Sequence, residues 1–124
     1  MSQEDATLAG RRVLVVEDEL LVVMDVEDLL AELGCNVLES ASTVEHALQR
    51  IAENTPEVVI LDLNLNGQPT LPVAEALRNA GIPFIVVTGY VETMHLEPAL
   101  RGAPMLQKPC SGDQLQAGLR QVLG

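Results

Sequence analysis

Val58-Val59-Ile60-Leu61-Asp62 is the most informative stretch of the sequence, because an apolar run ends abruptly at a single carboxylate. Continuous runs rich in β-branched residues are typical of strands buried on both faces of a parallel sheet. Two similar runs, Val13–Val16 and Phe84–Val87, are also followed directly by polar residues. The sequence therefore predicts a buried parallel sheet whose strands end in polar side chains.

Helical patterns separate the predicted strands. Residues 22–33 place apolar side chains at helical spacing, and Gly34 is suited to end that helix. Ser42 and Glu45 have the spacing of a capping box and predict the start of a second helix. The other predicted elements are a strand at 35–38, a helix from Thr70 to Gly81, a short helix at 91–96, a strand at 103–107 and a helix that begins with a capping box of Ser111 and Gln114.

Five alternating strand and helix units predict an α/β fold, a (βα)5 doubly wound five-stranded parallel sheet. Right-handed crossovers place helices on both faces, and the expected strand order is 2-1-3-4-5, as in flavodoxin-like proteins. Ligands of such sheets bind beyond the carboxyl ends of the strands, near the switch point between strands 1 and 3. We expect one domain at residues 11–124, preceded by a flexible N-terminal segment at residues 1–10.

Composition excludes several classes of partner. The formal net charge is −11, with 18 acidic and 7 basic residues, so the surface should repel nucleic acid and anionic membranes. No apolar stretch has the length of a membrane-spanning helix, and residues 1–10 do not resemble a signal peptide. Cys35 and Cys110 lack metal-ligand spacing and are expected to be free thiols. We therefore expect a cytoplasmic protein.

The residues that follow the predicted strands form a consistent chemical set. The first strand ends at Glu17-Asp18-Glu19, the third at Asp62, the fourth at Thr88 and the fifth at Lys108. Carboxylates crowded at one sheet edge repel each other, and a hard cation such as Mg²⁺ relieves that repulsion with oxygen ligands. Asp62 could then accept a phosphoryl group, with Mg²⁺, Lys108 and Thr88 balancing the charge on its oxygens.

This pattern closely resembles the receiver domain of two-component response regulators, and the resemblance extends from about Arg12 to the end of the chain. It implies a Mg²⁺-dependent switch that is phosphorylated by a sensor histidine kinase or a phosphotransfer protein. The implied site residues are Asp62 as phosphoacceptor, Asp18 as a direct metal ligand, Glu17 as a ligand through water, Asn64 as a ligand through its backbone carbonyl, Thr88 as the switch hydroxyl and Lys108 as the phosphate contact.

Two positions depart from the usual receiver pattern. Met105 stands where an aromatic residue usually lies on strand 5, and Cys110 replaces the Phe that often follows Lys-Pro. The run Pro83–Tyr90 partly resembles an atypical stand-alone receiver subgroup with a Phe-Ala-Thr-Gly-Tyr-like motif. We hypothesise that Tyr90 replaces the missing ring as a gate over the phosphorylation site.

The resemblance implies a signalling switch rather than an enzyme, whose only chemistry is its own phosphorylation and dephosphorylation. We expect a single-domain regulator that signals by altered binding to a downstream protein. A receiver-like module that binds partners without phosphorylation is the alternative from a different class. A small Mg²⁺-dependent phosphatase would need a second Asp where Asn64 stands, and an FMN carrier would not place Glu17-Asp18-Glu19 in its phosphate loop.

Overall fold

The computed structural model describes residues 6–89 and 98–124, and the sheet is its centre. Five parallel strands run in the order β2-β1-β3-β6-β7, and β4 and β5 form a separate antiparallel pair. Leaving that pair aside, the order is the predicted 2-1-3-4-5, so the predicted fold class is confirmed. The strands are β1 (Arg12–Val16), β2 (Asn36–Val37), β3 (Val58–Leu61), β4 (Asn64–Leu65), β5 (Gln68–Pro69), β6 (Phe84–Thr88) and β7 (Met105–Gln107).

Within residues 6–89 and 98–124, four α-helices cover the two faces of the sheet, and they are α1 (Leu20–Glu32), α2 (Val44–Asn54), α3 (Leu71–Ala80) and α4 (Gly112–Leu123). Alternate residues of each central strand point to opposite faces, which explains why the predicted strands are apolar throughout. Leu14 and Val16 pack with α2 and α3, whereas Val13 and Val15 pack with α1 and α4. None of the helices in the described ranges is long and apolar enough to cross a membrane.

Helix starts agree only partly with the sequence. The capping box of Ser111 and Gln114 is confirmed, with both reciprocal hydrogen bonds formed. The predicted box of Ser42 and Glu45 is wrong: α2 is capped one residue later, where the Thr43 hydroxyl accepts the N–H of His46. Thr43 has the extended backbone that a cap requires, so its hydroxyl reaches the free N–H of the first turn.

Thr70 precedes α3 as predicted, but its side chain does not cap that helix. Its hydroxyl instead donates to the backbone carbonyl of Asp62 at 2.6 Å, and Thr70 is completely buried. Asn66 and Gly67 form the tip of the β4–β5 hairpin, an element that the sequence did not predict. Burial explains why the hydroxyl bonds this carbonyl. An unpaired carbonyl inside the protein costs more free energy than an uncapped N–H that water can reach.

The first residues of the chain differ in part from the prediction. Leu8 is fully buried against the α1–α4 side of the sheet, so the packed core begins before the predicted boundary at Arg11. Residues 1–5 lie outside the described residues, and the flexibility of the N-terminal segment stays a prediction. The predicted helix at 91–96 and Tyr90 also lie outside the described residues.

Candidate functional site

Backbone hydrogen bonds beyond the strands bring the predicted site residues to one edge of the sheet. The N–H of Asp62 donates to the carbonyl of Val16 at 3.0 Å, which sets the end of β3 beside the end of β1. The N–H of Lys108 donates to the carbonyl of Thr88 at 2.8 Å, which sets the end of β7 beside the end of β6. The ends of β1, β3, β6 and β7 thus meet at the carboxyl edge, where the fold predicts a ligand.

Glu17, Asp18 and Asp62 form a compact cluster of carboxylates. One oxygen from each lies within 4.8 Å of the others. Glu17 and Asp62 are 4% and 7% exposed, so water does little to screen their repulsion. An all-oxygen, strongly anionic donor set with one partly exposed member fits Mg²⁺, which prefers carboxylates and retains several waters.

Lys108 places its ammonium group directly on this cluster. Nζ lies 2.5 Å from Oε1 of Glu17, 3.1 Å from Oδ2 of Asp62 and 3.6 Å from Oε1 of the exposed Glu19. Burial acts to lower the pKa of Lys108, but the bonds to Glu17 and Asp62 outweigh it and raise that pKa above its ordinary value. Lys108 is therefore a fixed positive charge beside Asp62.

Glu17 has a strongly perturbed environment. Its Oε2 accepts the backbone N–H groups of Asp18 and Glu19 at 3.0 and 3.1 Å, which fixes the carboxylate. Burial raises the pKa of Glu17 to about 7, with Asp62 and Asp18 also raising it and Lys108 opposing the rise. Perturbed carboxylates in a cleft are typical of functional sites.

An open cavity of about 450 Å³ lies over the cluster. Asp62 and Lys108 line it, together with Thr88 at the end of β6, and Thr88 is 3% exposed. The cavity is larger than a phosphoryl group, and a carboxylate, an ammonium and a hydroxyl line it. This combination is suited to holding a phosphoryl group on Asp62.

Asn64 lies near Asp62, but its contacts are made by its backbone N–H and its side chain and not by the backbone carbonyl that was predicted to bind the metal. Its N–H approaches Oδ1 of Asp62 at 3.5 Å, and its side-chain Oδ1 accepts the N–H of Gly67 at 2.7 Å. Metal ligation through its backbone carbonyl stays a prediction. The predicted gate, Tyr90, lies outside the described residues.

Sequence reasoning missed two residues that contact the site. Thr70 fixes the carbonyl of Asp62, and the backbone N–H of Asn66 donates to Oδ2 of Asp18 at 2.8 Å. The Asn-Gly pair at 66–67 is itself typical of a tight turn. Only the folded chain reveals its contact with Asp18, because the two residues are 48 positions apart.

A second cavity adjoins the site. It has a volume of about 710 Å³, lies between α1 and the segment 108–110, and shares Glu19 and Lys108 with the first cavity. Leu21 and Met24 of α1 line it and are 80% and 52% exposed. Exposed apolar residues grouped beside a reactive site indicate a surface for another protein.

Comparisons with known proteins agree with this geometry. The sequence profile described as response regulator receiver domain matches residues 13–120. PhyR from Methylorubrum extorquens is 31% identical over 124 residues, which cover 98% of this chain and 46% of PhyR. The chain spans about half the length of the curated relatives that it matches first.

Solved structures give the same result. The receiver domain of PhyR from Erythrobacter litoralis superposes with a TM-score of 0.83 at 27% identity, covering 93% of this chain and 91% of that one. SdrG from Sphingomonas melonis superposes with a TM-score of 0.81 at 36% identity, covering 97% of this chain and 100% of that one. With the profile match over most of its length, the chain belongs to the family of response regulator receiver domains.

Proposed function

We propose that this chain is a phosphorylation switch in which Asp62 accepts a phosphoryl group from a histidine kinase or a phosphotransfer protein. The observation that carries the proposal is the position of Asp62 and Lys108. The buried carboxylate lies 3.1 Å from a partly buried ammonium and opens into a cavity with room for a phosphoryl group. A stable ion pair alone would not need that cavity.

The proposed transfer forms one bond and breaks another. A side-chain oxygen of Asp62 attacks phosphorus, its new O–P bond forms, and the N–P bond to the donor histidine breaks as the imidazole leaves. Lys108 stays bound to the phosphorylated side chain as the counter-charge, and the Thr88 hydroxyl is placed to donate to a phosphoryl oxygen.

A bound Mg²⁺ would neutralise the charge that accumulates on the transferred group. Glu17, Asp18 and Asp62 would hold it, since their oxygens already converge within 4.8 Å. Lys108 bonds the same two buried carboxylates, so it limits their mutual repulsion before a cation binds. The protein's own residues thus orient the Asp62 carboxylate and reduce its repulsion by Glu17.

The second cavity is proposed to receive a helix of the phosphodonor protein. It shares Glu19 and Lys108 with the cavity over Asp62, so a donor bound there would lie next to Asp62. Apolar Leu21 and Met24 offer contact area, and Asp25 and Asp28 favour a donor with basic residues around its apolar face.

The signal is proposed to leave through altered binding of a downstream protein, in the cytoplasm, with no reaction on any other substrate. The phosphoryl group adds nearly two negative charges and three acceptor oxygens. These would attract Thr88 and Lys108 and change the surface beside them.

Intact mass spectrometry tests the proposal. The wild type and the Asp62→Asn variant are incubated with acetyl phosphate, with and without Mg²⁺, and Asp113→Asn serves as a control at the exposed start of α4. We expect one added phosphoryl group in the wild type and in Asp113→Asn, and none in Asp62→Asn or in the presence of a chelator.

Phosphorylation would be contradicted by two results together. The wild type would stay unmodified with acetyl phosphate and with kinases, and a partner would bind Asp62→Asn with the same affinity as the wild type. Those results would favour the phosphorylation-independent binding module. Multiple turnover of added phosphate esters would instead favour the small phosphatase.

A further inference from the structure

The β4–β5 hairpin connects the proposed phosphoacceptor to the proposed metal site. It follows Asp62 directly and turns at Asn66 and Gly67, whose φ angles of 52° and 84° are both left-handed. Two left-handed residues in sequence are what a tight two-residue hairpin requires, and Asn-Gly is the pair best suited to it. The turn therefore depends on these two residue types.

Buried contacts hold the base of the hairpin. The Thr70 hydroxyl donates to the carbonyl of Asp62, and the N–H of Thr70 donates to the carbonyl of Leu63 at 3.1 Å. Leu65 is 2% exposed and packs into the core on the α2–α3 side. Because its base is fixed, the tip has a defined position relative to the carboxylates.

The tip reaches back to the first strand. The backbone N–H of Asn66 donates to Oδ2 of Asp18 at 2.8 Å, and the N–H of Gly67 donates to the side chain of Asn64 at 2.7 Å. Asp18 is the least buried member of the carboxylate cluster, and Glu17 and Asp62 both repel it. The Asn66 N–H offsets that repulsion by a contact that adds no net charge.

We infer that the Asn66-Gly67 tip is a positioning element that holds the Asp18 carboxylate in place for a divalent cation. The inference rests on the metal-dependent part of the proposed function and adds residues to it. A carboxylate already held in its binding position loses less rotational freedom when the cation binds, so the affinity is higher. Gly67 acts through Asn66 and Asp18 and is not itself a ligand.

Gly67→Ala tests this with little effect on packing. A β-carbon at position 67 would have nothing within 4 Å, so the only strain is at the left-handed φ. Gly102 has nearly the same φ of 83° and equally open space, and it lines no cavity of the site. Gly102→Ala is therefore a matched control for the strain alone.

The measurement is the dissociation constant of Mg²⁺ by isothermal titration calorimetry on the unphosphorylated full chain. We expect Gly67→Ala to weaken Mg²⁺ binding about fivefold, since the Asn66 N–H would no longer be aligned with Asp18. Gly102→Ala should bind Mg²⁺ like the wild type while losing similar unfolding stability without metal. Gly67→Asn should recover most of the affinity, because Asn tolerates the left-handed conformation.

Two results would overturn the inference: Gly67→Ala binding Mg²⁺ within twofold of the wild type, or Gly102→Ala weakening it equally. A wild type that binds no Mg²⁺ at all would refute the metal-dependent part of the proposed function, and the inference with it. If the wild type binds Mg²⁺ and all variants match it, the metal site stands and only the role of the tip is lost.

Discussion

The contacts around Glu17 act in opposite directions on its protonation. Glu17 is almost fully buried, it touches the ammonium of Lys108, and it accepts two backbone N–H groups. These contacts favour the charged form, whereas burial and the nearby carboxylates favour the neutral form. The balance leaves the pKa of Glu17 at about 7, so this residue should make stability depend on pH.

Between pH 4.5 and about 7, Glu17 keeps a proton in the folded protein that the unfolded chain has released. The free energy of unfolding of the metal-free protein should therefore fall as pH rises through this window and then level off. Glu17→Gln should remove a pH-dependent contribution to the free energy of unfolding of about 3 kcal/mol. Urea unfolding in chelator at intervals from pH 4.5 to 8 measures it.

Glu57→Gln is the control, because Arg11 holds the pKa of Glu57 below its ordinary value. Glu57 contributes stability that is fully present above its ordinary pKa of 4.5 and is lost only as pH falls below that value, so Glu57→Gln should leave the slope between pH 4.5 and 8 as it is in the wild type. An unaltered pH profile in Glu17→Gln would contradict the buried, proton-sharing environment of Glu17.

The start of α2 illustrates how an element is defined by backbone conformation. Ser42 and Thr43 carry equivalent hydroxyls, and either could cap a helix by composition alone. Ala41 forms a bridge with Val16 at the edge of the sheet, and this contact places Thr43 at the position from which a hydroxyl reaches the N–H of His46. Tertiary contact therefore selects which of the two residues is the cap.

Thr43→Ala should lower the free energy of unfolding by about 1 kcal/mol, since an N–H of the first turn of α2 loses its acceptor. Ser42→Ala should change it by less than about 0.5 kcal/mol, because Ser42 is exposed and does not cap the helix. Urea denaturation at neutral pH measures both variants. Equal losses would mean that the two hydroxyls share the cap in solution.

At the scale of the whole molecule, charge and apolar surface are unevenly distributed. The chain has a net charge of −11, yet Lys108 is held beside the acidic site, and the exposed leucines of α1 lie next to it. An acidic surface with an apolar patch beside the proposed phosphorylation site favours docking of a protein over docking of nucleic acid. Under the proposed function, this distribution would separate recognition of the donor from the chemistry at Asp62.

Leu21→Glu should slow phosphorylation by a purified histidine kinase that is active on the wild type by about tenfold, because a charge would be placed in the apolar contact. The same variant should react with acetyl phosphate at the wild-type rate, since that donor needs no docking surface. Ala52→Glu, on the exposed side of α2, adds the same charge elsewhere and should leave both rates unchanged. Equal slowing with both donors would contradict a docking role.

The strands of the sheet and the residues at its carboxyl edge could be predicted from the sequence. Each apolar run is local, each ends in a polar residue, and the carboxyl ends of parallel strands meet at the same edge, so Glu17, Asp18, Asp62, Thr88 and Lys108 could be assigned to one place. No knowledge of distant contacts was required. Fold and family follow from patterns of this kind.

The hydrogen bonds and ion pairs among these groups, and with the rest of the chain, depend on the folded structure. Lys108 forms ion pairs with Glu17 as well as Asp62. The Thr70 hydroxyl donates to the Asp62 carbonyl instead of capping α3, and the Asn66 N–H donates to Asp18. These bonds join residues from different strands and loops, and Asn66 and Asp18 are 48 positions apart. Their partners are set by burial and by strand packing, since a buried polar group binds whichever group the fold brings within reach.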